Sequence, residues 1–279
     1  MCIRDRYQGG VLAPNGDIHF VPHRAAVGQK VSAAGVVSTY SLVYTALTVY
    51  TGGVLAPNGD IHFVPYSAVR GQKINASGVV STYSLVYTTS GAYTGGVLAP
   101  NGDIHFIPSS ANRGQKVSAA GVVSTYSLIY TASSAYRGGV LAPNGDIHFV
   151  PYGANRGQKI SAAGVVSTYS LVFTGTNSYT GGVLAPNGDI HFVPASSTVG
   201  QKISSLGVVS TYSIIINDLN GGVLAPNGDV HFINNGFAQG EKVSFTGIVS
   251  TYSVFNIGSY FGGVLSQNGD IHFIPLSAN

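Results

Sequence analysis

Short runs of Val, Ile, Tyr, Phe and Thr, punctuated by Gly, Pro, Asn and Ser, fill this chain from Tyr7 onward. No segment keeps a 3.6-residue apolar period, so the pattern predicts strands and turns throughout. "GGVLA" and "DIHFVP" flank "PNG", an Asn-Gly signal of the kind that joins two antiparallel strands. "GQKVS" and the longer "GVVSTYSLVYT" flank a short Ala/Ser/Gly turn. The pattern then starts again. "GGVLAPNGDIHF" begins at Gly9, Gly52, Gly95, Gly138 and Gly181, with altered copies at Gly221 and Gly262. "GQKVSAAGVVSTYS" from Gly28 has relatives at Gly71, Gly114, Gly157, Gly200 and Gly240. The chain is therefore six full repeats and a half repeat, with a period of 40 to 43 residues.

Four short strands in a repeat of this length match one blade of a β-propeller. A blade has neighbours on both faces, which suits runs such as "GVVSTYSLVY" that are apolar or small on both sides. The glycine-rich "GGVLA" suits an innermost strand, where strands crowd together. A β-solenoid is the alternative, but its usual coil is shorter. The expected fold class is all-β, a seven-bladed ring with one incomplete blade, forming a single domain over 7–279. "MCIRDR" matches nothing in the repeat and is read as a non-native leader, a translated adapter junction. Gly262 to Pro275 provides only the two inner strands of a blade. Its outer edge is then open to pairing with another chain.

The consensus "PNGDIHFVPxxAxxGQKVSxxGVVSTYSL" resembles the repeat of virginiamycin B lyase-like (streptogramin lyase) propellers and, more distantly, NHL-type repeats. That family's unit reads Pro-Asp-Gly, an aromatic strand, Ala-Asn-x-Ile, then Gly-x-Ile-Thr-Glu-Tyr-Pro-Leu. The resemblance implies seven blades. It also implies a lyase site with a His general base and a divalent metal held by glutamates. Here Glu241 is the sole glutamate, in a "GEK" variant of a framework strand. The resemblance thus rests on framework letters and speaks to fold rather than activity.

Charged residues make up only 8% of the chain, against roughly 25% in a typical soluble domain. Its surface must be built largely from Ser, Thr, Gly, Asn, Gln and Tyr. The net charge of +3 comes without a basic run, so no nucleic-acid groove is expected. No apolar stretch approaches a membrane span, and the first thirty residues lack a signal-peptide core. Cys2 is the lone cysteine, which excludes an internal disulfide and a thiolate cage.

Asp17 and His19 lie two apart, so both face one side of a strand. The pair recurs at Asp60/His62, Asp103/His105, Asp146/His148, Asp189/His191, Asp229/His231 and Asp270/His272. Such pairs can ligate metals or act as a base with its orienter. Seven equivalent pairs on blades that fan outward cannot form one asymmetric site. The better reading is a hydrogen-bonded network inside each blade, shared with hydroxyls of the Ser-Thr-Tyr block. Each of Lys30, Lys73, Lys116, Lys159, Lys202 and Lys242 follows a Gly-Gln or Gly-Glu, and is read as a solvated or blade-pairing charge, with a ligand-binding ring of lysines as the sharper alternative.

Differences between copies concentrate in the second-to-third-strand loop ("HRAAV", "YSAVR", "SSANR", "YGANR", "ASSTV") and in the connection to the next blade. In a propeller both loop types emerge on one face. Varied loops on a rigid frame are where specificity normally resides, and Tyr and Arg are frequent binding anchors. The candidate binding residues are His23, Arg24, Tyr66, Arg70, Arg113, Arg137, Tyr152 and Arg156, with no catalytic or metal residues and no cofactor. The alternative is unconstrained drift in solvated loops. The function expected is a non-catalytic binding or structural scaffold for a protein or glycan ligand, displayed outside a cell or on a particle. The absence of Trp removes the favoured stacking platform for sugars. The alternative is a metal-dependent lyase of the streptogramin lyase type.

Overall fold

A computed structural model of the chain describes residues 7–234, 236, 238–254, 259–266 and 268–277. The expected leader at 1–6 lies outside them. Every regular element among the described residues is a strand, and no helix is long and apolar enough to cross a membrane. The first sheet consists of β1 (Tyr7–Leu12), β2 (Ile18–Pro22), β3 (Val27–Val31) and β4 (Val37–Ser41). The second repeats it with β5 (Tyr50–Leu55), β6 (Ile61–Pro65), β7 (Arg70–Ile74) and β8 (Val80–Ser84). Four further sheets hold β9–β12 within 93–127, β13–β16 within 136–170, β17–β20 within 179–213 and β21–β24 within 219–253. A final sheet has two strands, β25 (Ser259–Leu265) and β26 (Ile271–Ser277). All six full sheets are antiparallel meanders in chain order. The blade pattern expected from the repeat, including an incomplete last blade, is what the chain forms.

The backbone divides into two compact units, Met1–Ala135 with the first three sheets and Tyr136–Asn279 with the rest. Within the first unit, Val11, Val21, Tyr40 and Tyr44 of one sheet pack on Tyr50, Ile61, Phe63 and Ile74 of the next. Val54, Val64, Tyr83 and Tyr87 pack in the same way on Tyr93, Ile104, Phe106 and Val117. Within the second unit, Val140, Val150 and Tyr169 cover Tyr179, Ile190, Phe192 and Ile203. Full burial of each such aliphatic or aromatic side chain contributes about 1.5–3 kcal/mol. Period-2 alternation therefore fails on the second strands because both faces are covered: Ile61 to Pro65 are all buried.

Two glycines set the sheet spacing. A Cβ on Gly53 would meet Val11 Cγ2 of the preceding sheet at 2.6 Å, so the second glycine of each pair lets the inner strands approach. A Cβ on Gly71 would lie 2.1 Å from the Tyr83 ring, because that ring lies flat across the strand beside it.

Candidate functional site

The Asp-x-His pair is joined to three other segments of its own sheet. Asn58 Oδ1 accepts the Asp60 amide at 3.0 Å, which fixes the tight turn. Its geometry is Ala56–Pro57–Asn58–Gly59, closed by the Gly59 amide on the Ala56 carbonyl at 3.0 Å, with Gly59 at φ +85°. Pro and Asn thus occupy the turn's centre, and the glycine takes the left-handed position behind them. Lys73 Nζ donates to Asp60 Oδ2 at 2.6 Å. In the third sheet Asp103 Oδ1 also accepts the Ala119 amide of the outer turn at 3.2 Å. One aspartate therefore joins both turns at that end of the sheet, the inner through its amide and the outer through its carboxylate.

His62 Nδ1 lies 3.2 Å from the Tyr83 hydroxyl, with ring centroids 5.5 Å apart. The same contact is 3.4 Å at His105, 3.3 Å at His148 and 3.2 Å at His191. Burial is the main cause holding these imidazoles neutral, followed by the adjacent lysine: His62, His105, His148 and His191 are each lowered to about 4. Burial pushes Tyr83, Tyr126, Tyr169 and Tyr212 up, so their hydroxyls stay protonated donors. At Asp103, Asp146 and Asp189 burial opposes ionisation, but the lysine and turn-amide hydrogen bonds prevail and lower the carboxyl.

The lysines do not pair blades. Each of the six forms an ion pair at 2.6–2.7 Å with the Asp of its own sheet. The residue that pairs blades is its neighbour. Gln72 Oε1 accepts the amides of Val43 at 3.0 Å and Tyr44 at 2.8 Å from the preceding sheet. Gln115 does the same for Val86 and Tyr87, and Gln201 for Val172 and Phe173. Hence the expected long strand "GVVSTYSLVYT" stops at Ser41: beyond it the backbone amides turn to the next sheet. In the sixth sheet Glu241 takes this place, its Oε2 accepting Ile215 and Ile216 at 2.8 and 2.6 Å. Burial raises its carboxyl despite those two amides.

These attachments decide whether a divalent metal fits. Six of the repeated aspartates are tied to lysines, four histidines contact tyrosine hydroxyls, and Glu241 is fully buried under a neighbouring sheet. Among the described residues no three His, Cys, Asp or Glu side chains gather. The residues present do not fit the glutamate-held ion that the lyase resemblance implies.

The varied loops are joined to one another through main chain. In the first unit Val49 N donates to His23 O at 3.1 Å, Tyr66 N to Val49 O at 2.8 Å and Ala92 N to Tyr66 O at 2.7 Å. Ser109 N then donates to Ala92 O and Ala135 N to Ser109 O, at 2.8 and 2.9 Å. In the second unit Ser178 N, Ala195 N and Asp218 N continue the zigzag onto Tyr152 O, Ser178 O and Ala195 O. Both loop types therefore share a face in each unit, and the bonds joining them are indifferent to side chain. Beneath each loop lies a small buried anchor, Ala25, Ala68, Ala111, Ala154 or Ser197. That anchor was readable as the repeated third letter of the loops, yet it was hidden among their variation.

Of the candidate residues, His23 and Tyr66 approach with ring centroids at 6.3 Å, and the His23 Nδ1 lies 2.8 Å from Tyr50 O. The Arg137 guanidinium stands 5.3 Å over the Tyr152 ring, a cation–π arrangement. Arg70, Arg113 and Arg156 open the third strand of successive sheets with exposed side chains. Their carbonyls accept the hydroxyls of Tyr50, Tyr93 and Tyr136 at 2.9, 3.0 and 3.1 Å. Arg24 is exposed in its loop. The described contacts bring these residues together as two pairs and separate arginines, not as one pocket.

Neither a protein-family model nor a curated protein matches the sequence. Solved structures do. A streptogramin B lyase superposes with a TM-score of 0.84 at 20% identity, covering 99% of this chain and 93% of that one. Virginiamycin B lyase from Staphylococcus aureus gives 0.83 at 18%, covering 98% and 93%. The extracellular domain of a hybrid two-component system from B. thetaiotaomicron gives 0.72 at 10%, covering 99% of this chain and 39% of that one. At these identities the likeness is one of fold, and the chain is a β-propeller similar in backbone to the streptogramin lyases.

Proposed function

We propose that this protein is a non-catalytic binding scaffold that meets a protein or glycan partner through its varied loops. The observation that carries this reading is the main-chain relay through those loops, which fixes their backbone while leaving side chains free to differ. Exposed Arg24, Arg70, Arg113 and Arg156, with His23, Tyr66, Arg137 and Tyr152, supply the contacts. Tyr and Arg offer large contact area and donors in fixed geometry. Repetition adds avidity, so each contact can be weak. The likeness to an extracellular domain supports display outside a cell.

The test is binding to a glycan array and an acidic-peptide library, comparing the wild type with a variant carrying Ser at Arg24, Arg70, Arg113 and Arg156. A bound class that the variant loses, and that a Ser77→Glu change in an outer turn leaves intact, supports the reading. Binding that the four changes leave untouched contradicts it.

A metal-dependent lyase is the second reading, supported by the backbone likeness to two lyases. It is weakened by the engagement of six framework aspartates, four histidines and Glu241 described above. Thermal unfolding with Mg2+ or Mn2+ separates the two: a saturable one-site rise in Tm favours the lyase, and an unchanged Tm favours the scaffold.

A further inference from the structure

The fifth and sixth sheets, both in the second unit, enclose a cavity of about 120 Å3 at the end where their turns gather. Asn187, His191 and Lys202 line it from one sheet, and Val230, Phe245 and Thr246 from the next. At roughly 30 Å3 per water it has room for about four waters, or for a short organic molecule in their place. Its outer wall is peculiar to this copy of the repeat. Phe245 stands where the other outer turns have Ala33, Ala76, Ala119, Ala162 and Ser205. A Cβ on Gly228 would meet the Phe245 ring at 3.2 Å, so the ring lies over that glycine. The residue is nevertheless 55% exposed, which leaves the cavity beside a solvent-facing turn.

His191 brings a buried donor to this cavity. It is only 5% exposed, and the Tyr212 hydroxyl lies 3.2 Å from its Nδ1. That hydroxyl has no other acceptor among the described residues, so it donates to Nδ1 and leaves the ring hydrogen on Nε2. No described residue accepts from Nε2, and the atom is left facing open space. Lys202 gives one bond to Asp189 at 2.7 Å, and its ammonium keeps further N–H donors.

We propose that this cavity binds a small carboxylic acid of about two to four carbons, its carboxylate accepting from His191 Nε2 and Lys202 and its hydrocarbon end resting on Phe245 and Val230. Two donors on one cavity call for an acceptor with two oxygens, and the aromatic wall calls for an apolar remainder. The charge of Lys202 is already matched by Asp189. Binding therefore rests on the placement of donors and on the apolar wall, and a millimolar affinity is expected. The corresponding places beside His62 and His148 carry Ala119 over Gly102 and Ser205 over Gly188. Those two histidines have the same tyrosine contact without the aromatic wall, and they serve as internal controls.

The test is propionate titrated into the full chain at pH 7 and constant ionic strength, read by NMR of the imidazole nitrogens. The expected result is a saturable one-to-one shift at His191 that His62 and His148 do not share. Propanol, which keeps the hydrocarbon but lacks the carboxylate, should bind about tenfold more weakly. Phe245→Ala should weaken propionate about fivefold by removing the wall, and His191→Phe should abolish saturable binding measured by calorimetry. Phe245 lies in an exposed turn whose counterparts are mostly alanine, so that variant keeps the proposal falsifiable even if His191→Phe misfolds. No saturable shift, equal shifts at the three histidines, propanol binding as well as propionate, or indifference to Phe245→Ala would each overturn it.

Discussion

In the second to fifth sheets each member of the Asp-x-His pair is restrained by side chains from other strands of its sheet, and this explains why neighbouring letters repeat with it. Gly71 is glycine because the Tyr83 ring occupies the space of its Cβ, and that ring is where it is because it covers His62. Gly71→Ala should destabilise the protein by about 1–3 kcal/mol, as overpacking does. Tyr83→Ala introduced beside it should relieve part of the cost, read from urea midpoints; strict additivity would contradict the contact. A second residue-level test lies in the connecting loops. Thr48 adopts φ 56°, a left-handed conformation that a β-branched residue tolerates poorly, and the matching Gly91 adopts φ 68°. Thr48→Asn should raise stability by about 0.5–1 kcal/mol, and an unchanged or lower urea midpoint would argue against strain there. That Asp and His join a hydrogen-bonded network within a blade was legible from their recurrence. The lysine's partner was not, because "GQK" places Gln and Lys on opposite faces of one strand, and letters alone do not say which face meets the next sheet.

Among elements, the clasp between successive sheets depends on one buried amide oxygen, and the sixth sheet tests it naturally. Glu241 accepts the same two backbone amides as its glutamine counterparts but must be desolvated to do so. Its carboxyl is raised in the folded state, so folded protein binds more protons than unfolded, and this contribution is full at low pH and is lost as pH rises. Glu241→Gln should therefore raise Tm at pH 7 and change it little near pH 4; an equal shift at both values would contradict the buried-carboxylate account. Strand order and blade size followed from the Asn-Gly signals and the repeat. The end of β4 at Ser41 did not, because "LVY" has strand propensity and is diverted only by a glutamine 29 residues after Val43.

For the whole molecule, few charges and many internal ion pairs imply a particular response to acid. All six lysines are engaged within sheets, so the loops' cationic groups are arginines. Four histidines lie near 4 when folded, against roughly 6.5 unfolded. Unfolded chains then bind more protons between those values, so stability is full above about 6.5 and falls as pH drops toward 4, with each such histidine contributing on the order of 2 kcal/mol. The lowered carboxyls of Asp103, Asp146 and Asp189 extend the loss to still lower pH. The sequence carried this arrangement in its period but could not reveal the burial that creates it.

The proposal that the repeated Asp-x-His is framework is tested most directly by NMR of the imidazole nitrogens titrated from pH 8 to 3 with and without Mn2+. His62, His105, His148 and His191 should stay neutral until about pH 4 or until the fold is lost, with no selective broadening by the metal. Titration of one of them near neutrality, or broadening confined to one Asp-His pair, would contradict it and restore a catalytic reading.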